Sequence, residues 1–479
     1  MLNFCVLTTV IYYNIGSGNP LERSLMYRTI NIQISSDSEL FEWCSHNARC
    51  ANNLYNAALF RERQMMSSAR KTLHQLTDNE LDVMSEVEFA KLDMSKPRDV
   101  SKSGFMGYVF LDAVMKYSGN PDYNAAGFPK HCAQNTLKNV VQDITSYFES
   151  VKDWKKHPDR YKGKPAMPRY RHKNGISAFK SSNIECRIRK TKRGNFYCSL
   201  PKTKLRVSLG KKIPGNLMEV HVTPVHGIFQ MSFVFDDGIL VYPCKRRKRI
   251  VAVDPGIDNL MAVTNNCGLP NLLFNGKPLK SINRLYNRQI SRIISANTKG
   301  STDRFVPTFH YQRVTLKRNN RVKDYMLKSA KILMQWCVEN RIDTIVLGKN
   351  ADWKQESNMG KRNNQNFVQI PHAKLYDIIT YLAERYGIDI IEQEESYTSK
   401  ASFLDRDEIP VYGKSDSHKF SGRRVHRGLY RSSDGRTVNA DLNGSANILR
   451  KCFPSAFSEN PDFNQIIVIR HPDESISQA

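Results

Sequence analysis

The chain has 479 residues, 40% of them hydrophobic, and carries 72 lysines and arginines against 46 acidic residues, a net charge of +26. That length exceeds one ordinary core, so two or three domains are expected, and the hydrophobic share excludes a disordered chain. A surface this basic attracts a polyanion, of which nucleic acid is the commonest; most ribosomal proteins are far shorter, and no long basic amphipathic helix marks a membrane-surface role.

In chain order, residues 4–13 (FCVLTTVIYY) are apolar, but the run lacks a basic flank and is too short to span a bilayer. It is not read as a signal segment, and residues 1–25 are expected to be an extension. YRTINIQI (27–34) alternates and is β-branched, which predicts a strand. Residues 38–70 repeat Leu40, Cys44, Ala48, Ala51, Leu54 and Ala58 at helical spacing; 75–105 are polar with weak pattern; a helix is predicted again over 133–152. The following WKKHPDRYKGKPAMPRYRHK mixes cations, aromatics and prolines, an irregular basic surface. Tyr161, Tyr170 and the cations between them suit RNA or duplex DNA alike. Over 176–242, SAFKSS, FYCSL, KLRVSL, MEVHVT and FQMSFVF read as short strands that, with the first, would make a small β-barrel.

From residue 249 the pattern becomes α/β. RIVAVDPG is a buried strand, helices are predicted over 280–295 and 318–340, and DTIVLG (343–348) and IDIIEQ (388–393) are strands separated by the helix AKLYDIITYLAERYG. NADLNGSANILRKC closes the series as loop and helix, and the alternation implies a mostly parallel sheet covered by helices. The ten cysteines (Cys5, Cys44, Cys50, Cys132, Cys186, Cys198, Cys244, Cys267, Cys337 and Cys452) form no CxxC pair, so no disulfide framework is expected and a reducing interior is the default.

Two aspartates carry candidate chemistry. Asp254 ends the first strand of the α/β half, where such sheets bind ligands, although Asp-Pro-Gly also makes an ordinary turn. Asp441 lies among Asn439, Asn443 and Asn447, at a position a helix N-cap would also take. A strand-end carboxylate and one opening the last helix of the same sheet can converge on a divalent metal, and a third carboxylate completes a two-metal site able to clamp the attacking and leaving oxygens of a phosphodiester.

VAVDPGIDNLMAVTN, GKRNNQNFVQIPHAKL, EESYTSKASFLD and GLYRSSDGRTVNADLNGSANILR, in that order, resemble the TnpB family, relatives of Fanzor proteins and type V CRISPR effectors, over Met26 to Pro454. The resemblance implies an RNA-guided DNA endonuclease with a RuvC-like (RNase H-like) domain, Mg²⁺ in a two-metal site and a guide RNA. It maps the family's first and last RuvC aspartates onto Asp254 and Asp441. The implied fold class is multidomain α+β: a helical recognition lobe (43–170) inserted in a wedge-like β-barrel domain (26–42 and 171–245), then the α/β nuclease domain (246–479). A lid loop is expected near 354–370 and a degenerate zinc-ribbon region at 402–436.

The chain departs from the family twice. Gly348, followed by Lys349 and Asn350, stands where the family's catalytic Glu ends the TIVLG-type strand. No cysteine lies between Ser402 and Arg436, and His418 and His426 are too few for a tetrahedral site, so no zinc is expected. Glu395, in Glu395-Ser396-Tyr397-Thr398-Ser399-Lys400, fits an E-x-x-T-S-K pattern of relatives with a relocated glutamate. It follows a strand expected beside the TIVLG strand, about 4.8 Å away. Glu394 is its neighbour and Glu356 a rival, and both Glu394 and Glu395 are also readable as solvated loop residues. Asp254, Glu395 and Asp441 are therefore the expected catalytic residues and Mg²⁺ ligands.

For nucleic acid, the run Lys245, Arg246, Arg247, Lys248 and Arg249 reads as a nucleic-acid-facing linker in preference to a nuclear-localisation signal. Lys280, Arg284, Arg288 and Arg292 form one basic helix face suited to a guide–target duplex. The expected partners are a guide RNA, transposon-end or CRISPR-derived, and double-stranded DNA, with no membrane. The expected location is the cytoplasm near the nucleoid in a prokaryote, the nucleus in a eukaryote. The competing functions are a catalytically inactive RNA-guided repressor, which Gly348 favours, and a DNA transposase.

Overall fold

The structure, a computed structural model, describes residues 24–92, 100–241, 247–300, 304–349, 370–410, 418–426, 428–457 and 462–473. Lys245, Arg246, Asn350, Glu356, the lid loop up to residue 369 and nearly all of the N-terminal extension lie outside the described residues. The chain divides into two compact units, built on residues 27–238 and 239–479.

In the first unit, strand β1 (Ser24–Ile34) leads into four helices: α1 (Glu39–Ser68), α2 (Asp78–Leu92), α3 (Tyr108–Tyr117) and α4 (Lys130–Lys156). Ser38 caps α1 by accepting from the Leu40 amide at 3.2 Å, and Glu39 and Glu42 suit the positive end of the helix dipole. The stripe Cys44, Ala48, Ala51, Leu54 and Ala58 is buried, as its spacing requires, and shares a core with Ala133, Leu137, Val140 and Ile144 of α4. Helix α2 arises in the stretch whose pattern looked weak, because it buries only Glu80, Val83, Val87 and Ala90.

Six strands follow: β2 (Phe179–Ser182), β3 (Arg187–Lys190), β4 (Phe196–Ser199), β5 (Arg206–Gly210), β6 (Asn216–Val225) and β7 (Ile228–Val241). Among the described residues these and β1 divide between a four-stranded sheet, β1-β7-β6-β2, and a three-stranded one, β3-β4-β5, instead of the single barrel expected. The β6–β7 hairpin pairs from Asn216↔Asp236 to Val225↔Ile228, and the remaining short strands find partners in a separate meander.

The second unit is a six-stranded sheet with its helices. Its elements are β8 (Ile250–Pro255), β9 (Asn259–Asn265), β10 (Asn271–Asn275), α5 (Lys277–Thr298), α6 (Phe309–Glu339), β11 (Thr344–Lys349), α7 (His372–Arg385) and β12 (Asp389–Glu394). A small meander, β13 (Arg423–His426), β14 (Leu429–Arg431) and β15 (Thr437–Asn439), precedes α8 (Ala440–Cys452), and β16 (Ile466–Ile469) ends the series. The sheet order is β12-β11-β8-β9-β10-β16.

Three of the five strand pairings are parallel, β10–β16 among them, so the sheet is mostly parallel with an antiparallel meander inserted. β8–β9 and β9–β10 are antiparallel, while β11 runs parallel to both β8 and β12. The turn Gly256–Asp258 is far too short for a parallel crossover, so the chain must reverse there. The strand IDIIEQ does lie beside TIVLG, with Gly348 opposite Gln393.

Candidate active site

Three elements of the second unit bring the candidate carboxylates to one end of the sheet. Asp254 is the penultimate residue of β8, Glu395 follows β12 directly, and Asp441 sits in the first turn of α8. Helix α8 is bolted to the sheet through Ser445, whose hydroxyl donates to the Ala252 carbonyl at 2.9 Å and accepts from the Thr264 amide at 3.2 Å. Gly444 lets it approach closely: a Cβ there would lie 2.5 Å from Asp254 Oδ2.

The turn carrying Glu395 is tied to the same helix. Asn447 Nδ2 donates to the carbonyls of Thr398 at 2.9 Å and Ala401 at 2.8 Å, and Asn443 Nδ2 donates to Ala401 at 2.8 Å. The asparagines around Asp441 are thus clamps between two of the carboxylate-bearing segments. Asn439 is the helix N-cap, accepting from the amides of Asp441 and Leu442, which frees the Asp441 side chain from that duty.

The electrostatics record the convergence. Withdrawal from water pushes the Asp254 carboxyl well above its ordinary value, and the charges of Glu395 and Asp441 push the same way while Arg424 opposes them. Glu395 is pushed up to about 7, first by burial and then by Glu394. The Tyr376 hydroxyl is raised by burial and by Glu395 and Asp254, and it donates to the Gly348 carbonyl at 2.5 Å.

Glu394 faces elsewhere. Lys451 Nζ lies 2.6 Å from it and the Ser396 amide 2.6 Å; burial would raise its carboxyl, but these partners outweigh burial and hold it below the usual range. Gly348 explains the room given to Glu395. A Cβ on Gly348 would stand 2.8 Å from Glu395 Oε2 and 2.6 Å from Ile448 Cδ1, so the glutamate carboxylate occupies space a side chain at 348 would need.

Sequence reasoning missed Arg424 and Asn259. Arg424 Nη2 donates to Asp441 Oδ1 at 2.9 Å, and Asn259 Nδ2 donates to Asp441 Oδ2 at 2.8 Å. Asn259 lies 182 residues from Asp441 and Arg424 sits in one of several basic clusters, so no local pattern marks either.

Among the described residues, no three His, Cys, Asp or Glu side chains are arranged to hold a metal ion as they stand. The donor chemistry nonetheless fits a hard divalent cation. Three carboxylates converge, two have raised pKa values that positive charge would relieve, and Asp441 already takes a cationic partner in Arg424.

The described residues of 402–436 are stitched by carboxylates. Asp407 accepts from the Ser402 amide at 2.7 Å and the Ser421 amide at 3.0 Å, Asp405 accepts from the Ser433 amide at 2.9 Å and hydroxyl at 2.6 Å, and His418 and His426 are exposed. Of the basic residues, Arg284, Arg288 and Arg292 are exposed along α5, whereas Lys280 is ion-paired with Asp258. Arg247 pairs with Asp389 at 3.2 Å, Arg249 Nε donates to the Asn340 carbonyl at 3.0 Å, and Lys248 is exposed. In the first unit Arg63 stacks on Tyr170 at 4.6 Å and Tyr161 donates to Asp153 at 2.7 Å.

Residues 240–354 match the OrfB_IS605 family model, described as a probable transposase, and residues 372–448 match the Cas12f1-like TNB domain. TnpB-like protein ORF457 of Acidianus two-tailed virus is 24% identical over 208 residues, 42% of this chain and 42% of that protein's own length. The Cas12f1–sgRNA–target DNA complex aligns over 86% of this chain and 82% of that chain, at 13% identity and TM-score 0.43. The mini-RNA-guided endonuclease Cas_phi3 aligns over 91% of this chain and 93% of that chain, at 10% identity and TM-score 0.43. The two matched segments include the candidate carboxylates, Asp254 in the first and Glu395 and Asp441 in the second. The chain is similar to the TnpB-like protein and, over the first segment, to the OrfB_IS605 family.

Proposed function

We propose that the chain is an RNA-guided DNA endonuclease whose RNase H-like second unit cuts phosphodiesters with Asp254, Glu395 and Asp441. One observation carries the reading: three carboxylates from distant segments meet at one sheet end, where burial raises both Asp254 and Glu395 and the charges of Glu395 and Asp441 raise Asp254 further. Such a cluster destabilises the apo protein and is retained most readily where it serves a ligand. The similarity to TnpB-like proteins suggests a guide RNA and target DNA as partners, and the charge of +26 supports both.

Asp254, Glu395 and Asp441 would hold the divalent cations, Mg²⁺ by the hardness of their oxygens, which when bound supply Lewis acidity and a more acidic water. The chain's own residues set the frame. Ser445, Asn443 and Asn447 lock α8 to the sheet and to the Glu395 turn, fixing the spacing of the carboxylates. Asn259 orients Asp441, and Arg424, with an exposed guanidinium, has further N–H donors for a phosphate oxygen. Arg284, Arg288 and Arg292 offer backbone contacts to a guide–target duplex.

The test is expression with the native flanking locus, sequencing of the co-purified RNA, and cleavage of a matched target in Mg²⁺. A discrete structured RNA and cleavage lost in Asp254→Ala, Glu395→Ala and Asp441→Ala are expected, with guided DNA binding kept. Guided binding without cleavage by the unmutated protein would replace the endonuclease with an RNA-guided repressor. Only heterogeneous RNA removed by moderate salt would remove guidance.

A further inference from the structure

Two residues after Glu395, Tyr397 has φ +67°, in the left-handed region that bulky side chains avoid. Its neighbours impose the conformation. The Tyr397 carbonyl accepts from the amides of Lys400 at 3.0 Å and Ala401 at 2.9 Å, and the Thr398 hydroxyl donates to the Glu395 carbonyl at 2.8 Å. Asn447 and Tyr430, donating to the carbonyls of Thr398 and Lys400, fasten the same turn to α8 and β14. A conformation held this firmly beside candidate catalytic residues points to a use for the side chain it aims.

That side chain belongs to an aromatic group at the surface. The Tyr397 ring centroid lies 6.1 Å from His418 and 6.4 Å from Phe420, whose own rings are stacked at 29°. Lys400 Nζ stands 5.9 Å over the Tyr397 ring. His418 is exposed and Tyr397 and Phe420 are half-buried, so the group is open to solvent. Two elements of the second unit thus present π-faces and a cation beside the Glu395 segment. That is the chemistry of a stacking site for an unpaired base with a phosphate contact.

We propose that Tyr397, with His418, Phe420 and Lys400, stacks one unpaired base of the DNA strand presented to Asp254, Glu395 and Asp441. Tyr397 is then a positioning residue. The inference rests on the endonuclease reading, and its test has an arm that does not require cleavage.

In that arm, the full-length protein is mixed with a single-stranded DNA oligonucleotide carrying 2-aminopurine. Stacking quenches its fluorescence with the wild type and Tyr397→Phe, and about tenfold more protein is needed with Tyr397→Asn, in keeping with the loss of one stacked base. Asparagine tolerates the left-handed conformation, so this variant unfolds at no lower temperature than the wild type. In the cleavage arm, an abasic residue at one position flanking the cut slows the wild type about tenfold but slows Tyr397→Asn no further. Tyr397→Phe restores the wild-type pattern. Quenching without cleavage keeps the stacking site and removes the nuclease reading. Cleavage by Tyr397→Asn at the wild-type rate, a defect that adds to the abasic defect, or quenching only of an RNA oligonucleotide overturns the proposal.

Discussion

Gly348→Ala adds a single methyl group and tests whether Glu395 has taken the space of the missing strand glutamate. Gly348 does not have a left-handed φ, so alanine is allowed by the backbone and any penalty is steric. Its Cβ would meet Ile448 Cδ1 at 2.6 Å and Glu395 Oε2 at 2.8 Å. Carbon atoms pack best at about 3.5–4.0 Å, so the neighbours must move by roughly 1 Å. Ile448 is fully buried, and overpacking a core of this kind costs about 1–3 kcal/mol. At about 2–4 °C per kcal/mol for a unit of roughly 240 residues, the melting temperature should fall by several degrees. The catalytic effect should be larger than the stability effect, because displacing a reacting group by about 1 Å costs on the order of 100-fold in rate. Thermal unfolding and single-turnover cleavage at a permissive temperature, on protein carrying its RNA, measure the two. The double variant Gly348→Glu with Glu395→Ala should recover part of the activity by supplying the carboxylate from the adjacent strand. Wild-type cleavage by Gly348→Ala, or full activity of Gly348→Glu while Glu395 is intact, would refute the exchange.

Glu62, buried in α1 and accepting from the Met106 amide at 3.1 Å, has its carboxyl raised by burial from 4.5 to about 8. Its contribution to stability is complete below pH 4.5 and is lost as pH rises through about 8, a span of at most about 5 kcal/mol. Glu62→Gln should therefore flatten the decline in thermal stability between pH 5 and pH 9, and an unchanged slope would contradict the assignment. Asp407→Ala should speed hydrogen exchange at the Ser402 and Ser421 amides, read by mass spectrometry, because both donate to Asp407 Oδ2 and lose that acceptor. Arg424→Ala should slow cleavage with little change in melting temperature, since its ion pair with Asp441 is partly open to water. Replacing Arg284, Arg288 and Arg292 with alanine should lower the salt dependence of nucleic-acid binding by up to about 3 in log–log slope, if each contacts one phosphate.

The stripe Cys44, Ala48, Ala51, Leu54 and Ala58 was legible because helical period and burial agree along α1. Asp254 and Asp441 stood out from their local patterns, and the resemblance singled out Glu395. Helix α2 and the antiparallel β8–β9–β10 meander were not legible. The first buries too few apolar positions, and in the second the strand direction is set by turn geometry that composition does not reveal. Lys280 looked equivalent to Arg284, Arg288 and Arg292, yet it alone is paired with an acidic residue, Asp258, 22 positions earlier in the chain.

The sequence by itself determined the charge, the strands β8, β11 and β12 with the helices α5 to α8, and which acidic residues stand where chemistry is possible, because these follow from composition and short-range period. Only the tertiary structure decided which glutamate turns inward. Glu394 and Glu395 are adjacent and chemically alike, and the choice is made by Lys451 drawing one outward and by the space left at Gly348 admitting the other. The tertiary structure also supplied Arg424 and Asn259 as partners of Asp441 and the strained turn at Tyr397. Those arise from contacts between segments far apart in the chain, and local sequence carries no record of such contacts until the chain has folded.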